Sequence, residues 1–506
     1  MRDTWLDRTL SAVAPRWHLK RARARIATEL LLRNYEGAAS GRRTQGWRRS
    51  SSDANLSMGP YLGKLRDVAR DLVRNNPYAE SALTTIVDHA VGYGIMARPE
   101  PANTKVLDLW RGWAESTECD ADGRTDLAGL EKAVMRSVAE AGEVLVRRRF
   151  RLPEDGLSIP LQLQVLEPDF LDTTKHGLRT PTGGRIIYGV EFNPIGQRVA
   201  YWLYPEHPGN SAFPNAMSRP VPAESVLHVF KPARPGAVRG ASWFAPVMLR
   251  FKDFDEYEDA TLMKQKIAAC LAVITSDVDG TGQPLGTADD TQTPAIDSLE
   301  PGAILNVAAG RSVEVVQPPS VTDYPEFCKV TLRAIATGLG VTYEDLTGDY
   351  ANMPFSAARM SRLRHWARVD DWRWRLLIPQ FCDPVWDWAM QAAAAMNLVS
   401  ADYPKAHWTP PPMPMIEPDK EGLAYQRLIR SGLQSWSETV RERGYDPDEL
   451  LGEIANDNAA FDELKVLLDS DPRKLTQAGQ LQGAKSTGSA STQPDDAPPA
   501  GSGSAA

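Results

Sequence analysis

The chain has 506 residues, 42% hydrophobic and 24% charged, a composition that suits a folded protein of roughly two to four domains. The net charge of −8 is unevenly spread: residues 16–49 hold ten Lys/Arg against two acids, a local +8, so the other 472 residues carry −16. The most apolar stretch, "VWDWAMQAAAAMNLV", is broken by Asp387, Gln391 and Asn397, and the four cysteines form no CxxC. These features argue against a membrane span, a zinc knuckle and a disulfide framework.

Residues 1–21 show neither an apolar signal core nor a cleavage site, and the four separated cysteines suit a reducing cytoplasm. Arg16–Tyr35 reads as a basic helix, and Gly37–Met58, rich in Gly, Ser and Arg, as a mobile linker. The arm's cations are Arg16, Lys20, Arg21, Arg23, Arg25, Arg42, Arg43, Arg48 and Arg49. Such an arm on an acidic body suits a polyanionic or acidic partner, and equally a solvated helix face. Leu62, Leu65, Val68, Ala69 and Leu72 recur at helical spacing over Tyr61–Arg74. After Asn76, Pro77 starts a further helix.

Short runs rich in β-branched and aromatic residues follow: Glu143–Phe150, Leu161–Leu166, Arg185–Phe192, Arg198–Tyr204 and Ser225–Phe230. They predict one antiparallel sheet with helices packed on it, an α+β class. From Phe251 to Ile274 no Pro or Gly occurs, so a single helix of about 36 Å is expected. Its first turns carry Asp253, Asp255, Glu256, Glu258 and Asp259, more acids than capping needs. A Thr/Asp/Gly loop leads to a hairpin, "GAILNVAAGRSVEVVQ", turning at Ala309-Gly310, and a helix near Tyr324–Gly338 runs back. After the loop "YEDLTGDYANMPFS", a long helix begins at Phe355 with Leu363, Trp366, Val369 and Trp372 on one side. Pro379 is expected to kink or split it. A Pro-rich connector, three helical pieces and a Gly/Ser/Ala/Pro tail from Thr476, expected to be disordered, complete the chain.

The stretch "HVFKPARPGAVRGASWF" (His228–Phe244) looks like a site, yet it fails each motif test. Gly240-Ala241-Ser242 lacks the second glycine of a nucleophile elbow, and no Gly-Lys-Ser/Thr exists for a phosphate loop. Lys231, Arg234 and Arg239 match no named spacing. "GYGIMA" follows a helix rather than a strand, against a dinucleotide site. "DVDG" lacks the later carboxylates of a calcium loop. The seven histidines form no HxH or HxxxH pair. No catalytic, cofactor-binding or metal residue is nominated, and the sequence does not argue for an enzyme.

Six blocks in order resemble the lambda-type family of tailed-phage portal proteins. They are Arg70–Ile95, Leu161–Asp172, Ile186–Gly209, Val226–Met248, Leu299–Val315 and Ile335–Arg359. The resemblance implies a portal fold, divided as basic arm and linker (1–60), α+β wing (61–250), stem helix (251–275), small β-containing clip (276–319) and second stem helix (320–345). Tunnel loop with kinked spine helix (346–400), helical crown (401–472) and tail (473–506) complete it. It implies a closed ring of about twelve identical subunits conducting double-stranded DNA. It further implies contacts with the large terminase subunit, a head-tail adaptor and the major capsid protein. The ring would sit at one capsid vertex of a virion, assembled in bacterial cytoplasm, with no membrane and no cofactor.

On this reading the tunnel loop is Asp349, Tyr350, Ala351, Asn352 and Met353, and the acidic stem lines the channel. Acidic walls repel phosphates, where Lys/Arg walls would hold them. Arg234 and Arg239 become structural or inter-subunit partners of acids. Two other readings stay open at this point: a hydrolase near His228–Ser242, and a DNA-binding protein using the arm.

Overall fold

A computed structural model describes residues 51–466 apart from 212–216, 270–271, 278–310, 317–323 and 352, together with 46, 468 and 473. The expected basic helix, all nine arm cations, Asn352 and the C-terminal tail lie outside the described residues.

The first helix of the described residues is α1 (Ala54–Met58), inside the stretch expected to be a linker. Asp53 caps it, and the Asn55 side chain bonds Gly236 O and Val238 N, so this segment is docked by specific hydrogen bonds. Helices α2 (Leu62–Asn75) and α3 (Pro77–Val91) follow, with Asn76 capping α3 through Tyr78 N and Ala79 N. On α2, Leu62, Ala69 and Leu72 are buried, whereas Val68 is exposed. The core gathers around α3, whose Ala79, Ala82, Leu83, Ile86 and Ala90 are fully buried.

Strand β1 (Met96–Glu100), α4 (Thr104–Ala114) and α5 (Leu127–Ala141) precede β2 (Glu143–Phe150) and β3 (Leu161–Leu166). The predicted single sheet is two. Strands β4 (Leu178–Arg179), β5 (Arg185–Ile187), β6 (Val190–Phe192), β7 (Arg198–Leu203) and β8 (Arg219–Pro222) form a five-stranded antiparallel meander. β2 lies between β3 and β9 (Val226–Phe230) in a second, three-stranded sheet. An isolated bridge pairs Leu171, in the segment after β3, with Leu203 of β7. Periodicity identified the strands, but partner choice depends on contacts across the sheet, which periodicity does not encode.

Helix α6 (Met248–Ala269) starts three residues before and ends five residues before the predicted bounds. The β-branched run after it forms β10 (Ala272–Asp277), which pairs with β11 (Arg311–Val316). β11 therefore has a partner far upstream of the predicted Ala309-Gly310 turn; the predicted first limb lies outside the described residues. Helices α7 (Tyr324–Leu339), α8 (Tyr343–Thr347) and α9 (Phe355–Trp372) follow. Val369 and Trp372 of α9 are buried, but Leu363 is exposed.

Around Pro379 the long helix departs from α geometry. α9 continues through a π-helical segment, Arg373–Cys382, into α10 (Asp383–Ala395). Pro379 lacks an N–H and its ring crowds the preceding turn, and the wider π ring, with Asp383 N bonding Ile378 O, accommodates both. The Pro-rich connector contributes β12 (Lys405–Thr409), which pairs with β1. Trp110, Trp386 and Trp408 cluster there, with Trp110 and Trp386 centroids 4.8 Å apart. Helices α11 (Pro418–Arg430), α12 (Trp436–Glu442) and α13 (Pro447–Leu464) close the described chain.

Candidate functional site

The acids of α6 sit beyond its first turn, because the helix begins at Met248, so the N-terminal dipole does not explain them. They divide into two groups. Asp255 accepts a hydrogen bond from Asn76 Nδ2 at 2.7 Å, and Glu258 accepts one from the Tyr324 hydroxyl at 3.1 Å. These two tie α6 to the α2–α3 junction and to α7. Asp253, Glu256 and Asp259 are exposed, with Glu256 3.6 Å from Lys252 one turn back. The opposite side of the helix buries Phe251, Phe254 and Thr261, while Tyr257 packs on Phe327 of α7 at 4.1 Å.

The loop between α8 and α9 is built locally. Thr342 caps α8 through Asp345 N, and Gly348, at φ 70°, supplies the left-handed turn that ends it. The Tyr343 hydroxyl donates to Asp349 Oδ2, and the Tyr350 hydroxyl to Asp345 Oδ1, both at 3.3 Å. Asp349 Oδ1 accepts Ala351 N, and Met353 N donates to Tyr350 O. Leu346 O accepts the Ser81 hydroxyl of α3, which anchors the loop's base. Tyr350 and Ala351 stand exposed, Met353 and Asp349 half-buried. The structure thus presents Tyr350 on a braced loop.

The stretch His228–Phe244 turns out to hold an ionic core. Glu143, at the start of β2, is fully buried. It accepts hydrogen bonds from Arg239 Nη2 at 2.6 Å, His228 Nε2 at 2.9 Å, Gly240 N at 2.9 Å and Arg66 Nη1 at 3.3 Å. Burial opposes its ionisation, but Arg239 and the His228 hydrogen bond outweigh that and hold the carboxyl well below its usual range. Burial pushes His228 down to about 4, so the ring is neutral, with its proton on Nε2 facing the carboxylate. Glycine is required here twice: a Cβ on Gly142 would meet Ala241 C at 2.3 Å, and one on Gly240 would meet Gly142 O at 2.1 Å.

Arg239 is almost fully buried and bonds Glu143 and Tyr188 O of its own chain. Arg234 is exposed and donates to Ser52 O at 3.3 Å, and no carboxylate oxygen of the described residues lies in salt-bridge range of it. The hydrolase reading loses its residues: Ser242 Oγ accepts Phe244 N at 3.1 Å, and His228 Nε2 is committed to Glu143. Glu143 escaped notice in the sequence because its partners lie 77 to 97 residues away.

The arrangement is an α+β body carrying a braced loop and an acidic helix. Residues 40–373 match the family model "Phage portal protein, lambda family", and the chain belongs to that family. It is 25% identical over 472 residues to the "Probable portal protein" of Halomonas phage phiHAP-1, covering 86% of this chain and 88% of the relative. It is 23% identical over 481 residues to "Portal protein B" of Escherichia phage lambda, covering 82% and 87%. Among solved structures it is similar to a chain in the neck of a native gene transfer agent particle. There the identity is 14% and the TM-score 0.47, over 80% of this chain and 98% of that one. The protein is a portal protein, a non-enzymatic particle component whose general role is to provide the passage for double-stranded DNA.

Proposed function

We propose that this chain assembles into a closed ring of about twelve copies, with α6 and α7 as stem, the 348–354 loop at the channel's constriction and the α9–α10 helix as spine. The insertion between β10 and β11 is the clip that docks the packaging motor, through its large terminase subunit, and later a head-tail adaptor. The α+β body meets the major capsid protein at one vertex, and α11–α13 form a crown. The supporting observation is the distribution of exposed apolar side chains. Leu249, Leu262 and Met263 of α6, Val330 of α7, and Met360 and Leu363 of α9 all face outward, Leu249 at 76% and Met360 at 67% exposure. Monomers rarely expose so many large apolar side chains together, and identical copies around a ring would cover them.

Asp253, Glu256 and Asp259 are the acids free to line the channel, while Asp255 and Glu258 serve packing. Repulsion from phosphates keeps the DNA moving. Averaged electron-microscope images of the purified protein, viewed down the assembly axis, test the proposal. Rings with a central hole support it; only monomers or dimers under assembly conditions overturn it.

A further inference from the structure

His89 of α3, Asp345 of α8 and His365 of α9 come together beneath the 348–354 loop, each offering one ligand atom within 4.8 Å of the others. His365 Nδ1 lies 3.1 Å from Gly340 O. A carbonyl only accepts, so Nδ1 carries the proton and the Nε2 lone pair points at His89 Nδ1, 2.8 Å away. Orientation of a ring by a backbone carbonyl behind it is the arrangement that metal-binding histidines use. The carboxylate is likewise oriented, since Asp345 Oδ1 accepts the Tyr350 hydroxyl. Two imidazoles and one carboxylate leave a fourth position, and the half-buried setting of His89 and Asp345 provides a route in.

We propose that His89, Asp345 and His365 form a binding site for one divalent transition-metal ion of the zinc class, bridging three helices at the base of the loop. Two nitrogens at about 2.05 Å from a tetrahedral ion stand about 3.3 Å apart, so binding spreads the two rings by about half an ångström. Burial pushes both histidines below their ordinary range, and neutral rings are the form that binds metal. Arg362, Arg368 and Arg373 put positive charge nearby and oppose a cation. Arg373 is occupied, donating to His89 O, Ala90 O and Pro411 O. The expected affinity is accordingly micromolar rather than nanomolar. A second cluster, Glu167, Asp169 and His207, makes a useful contrast. Arg70 already bonds both of its acids, at 3.0 and 2.6 Å, and fills the place of an ion.

The site goes beyond the portal role, and its test does not depend on ring formation. The chelator-treated full chain, as ring or single subunit, is titrated with Co2+ and then Zn2+. One equivalent per chain is expected, with the visible bands of four-coordinate Co2+ that Zn2+ abolishes. His365→Ala and His89→Gln each weaken binding by about 100-fold or more, Asp345→Asn by about 10-fold or more, and His207→Ala leaves it unchanged. Asp345 is half-exposed, so Asp345→Asn keeps the fold and reads the site even where a histidine variant does not fold. Absence of bound Co2+ at excess metal, or binding unaltered by Asp345→Asn, overturns the proposal.

Discussion

Two places in this molecule set a histidine against a carboxylate, and they differ in charge and in access. At Glu143, Arg239 and Arg66 supply the countercharge, a backbone N–H fills another acceptor position, and the cluster is closed to solvent. At Asp345, two imidazoles lie side by side and the carboxylate is half-exposed. The same residue types therefore serve as a sealed structural joint in one region and as a candidate ligand set in the other. What separates them is whether guanidinium groups have already taken the oxygen lone pairs.

The largest expected effect breaks the sealed joint. Arg239→Met leaves Glu143 buried without its main partner and is expected to cost about 3–5 kcal/mol, read by denaturant unfolding. A milder route to the same joint is acid. The unfolded chain protonates His228 near its ordinary 6.5, whereas the folded chain holds it down to about 4. Glu143, held below its usual range, adds a stability loss of the same sign at lower pH. Stability is therefore fully present above about pH 6.5 and declines as pH falls toward 4, measured as Tm against pH. A Tm that rises over this window refutes the assigned protonation.

Glu131 supplies the reverse sign. It is buried with only Ile95 N as a hydrogen-bond donor at 2.9 Å and the Cys382 thiol at 3.8 Å, and burial pushes it up to about 8. The folded protein keeps it protonated at neutral pH, so its contribution is lost as pH rises from about 4.5 toward 8. Glu131→Gln is expected to raise Tm by a few degrees at pH 8 and to have little effect at pH 5. In the open region the effect on stability is smallest. Tyr350→Ala is expected to change unfolding by less than about 0.5 kcal/mol while impairing DNA retention in assembled particles. Replacing Asp253, Glu256 and Asp259 together by Lys is expected to create steeply salt-dependent DNA binding, measured by retention at rising salt.

The helices were legible because their apolar positions recur at a fixed spacing, as at Leu62, Ala69 and Leu72. Capping residues marked some boundaries directly: Asn76 before Pro77 starts α3 as read. The strands were legible one by one but not their partners, since β11 pairs with residues about 40 positions upstream across an insertion. The π-segment was hidden because Pro379 signals that an ordinary turn must change, without saying how. The acidic helix and the 348–354 loop were visible as composition. The Glu143 and Asp345 clusters were not, since each gathers residues from three or more distant elements, and spacing carries no trace of that.

The pairing of β1 with β12 joins Met96 to Thr409 and ties roughly 300 intervening residues into a closed loop. That clasp matters mechanically. A load applied across the body reaches the sheet and long helix through segments whose ends are fastened together. Glu100 and Lys405 face each other at one end of the antiparallel ladder, so those segments are drawn apart only as the ladder opens pair by pair against the tryptophan cluster. The clasp thus holds both ends of residues 101–404 at one place in the fold.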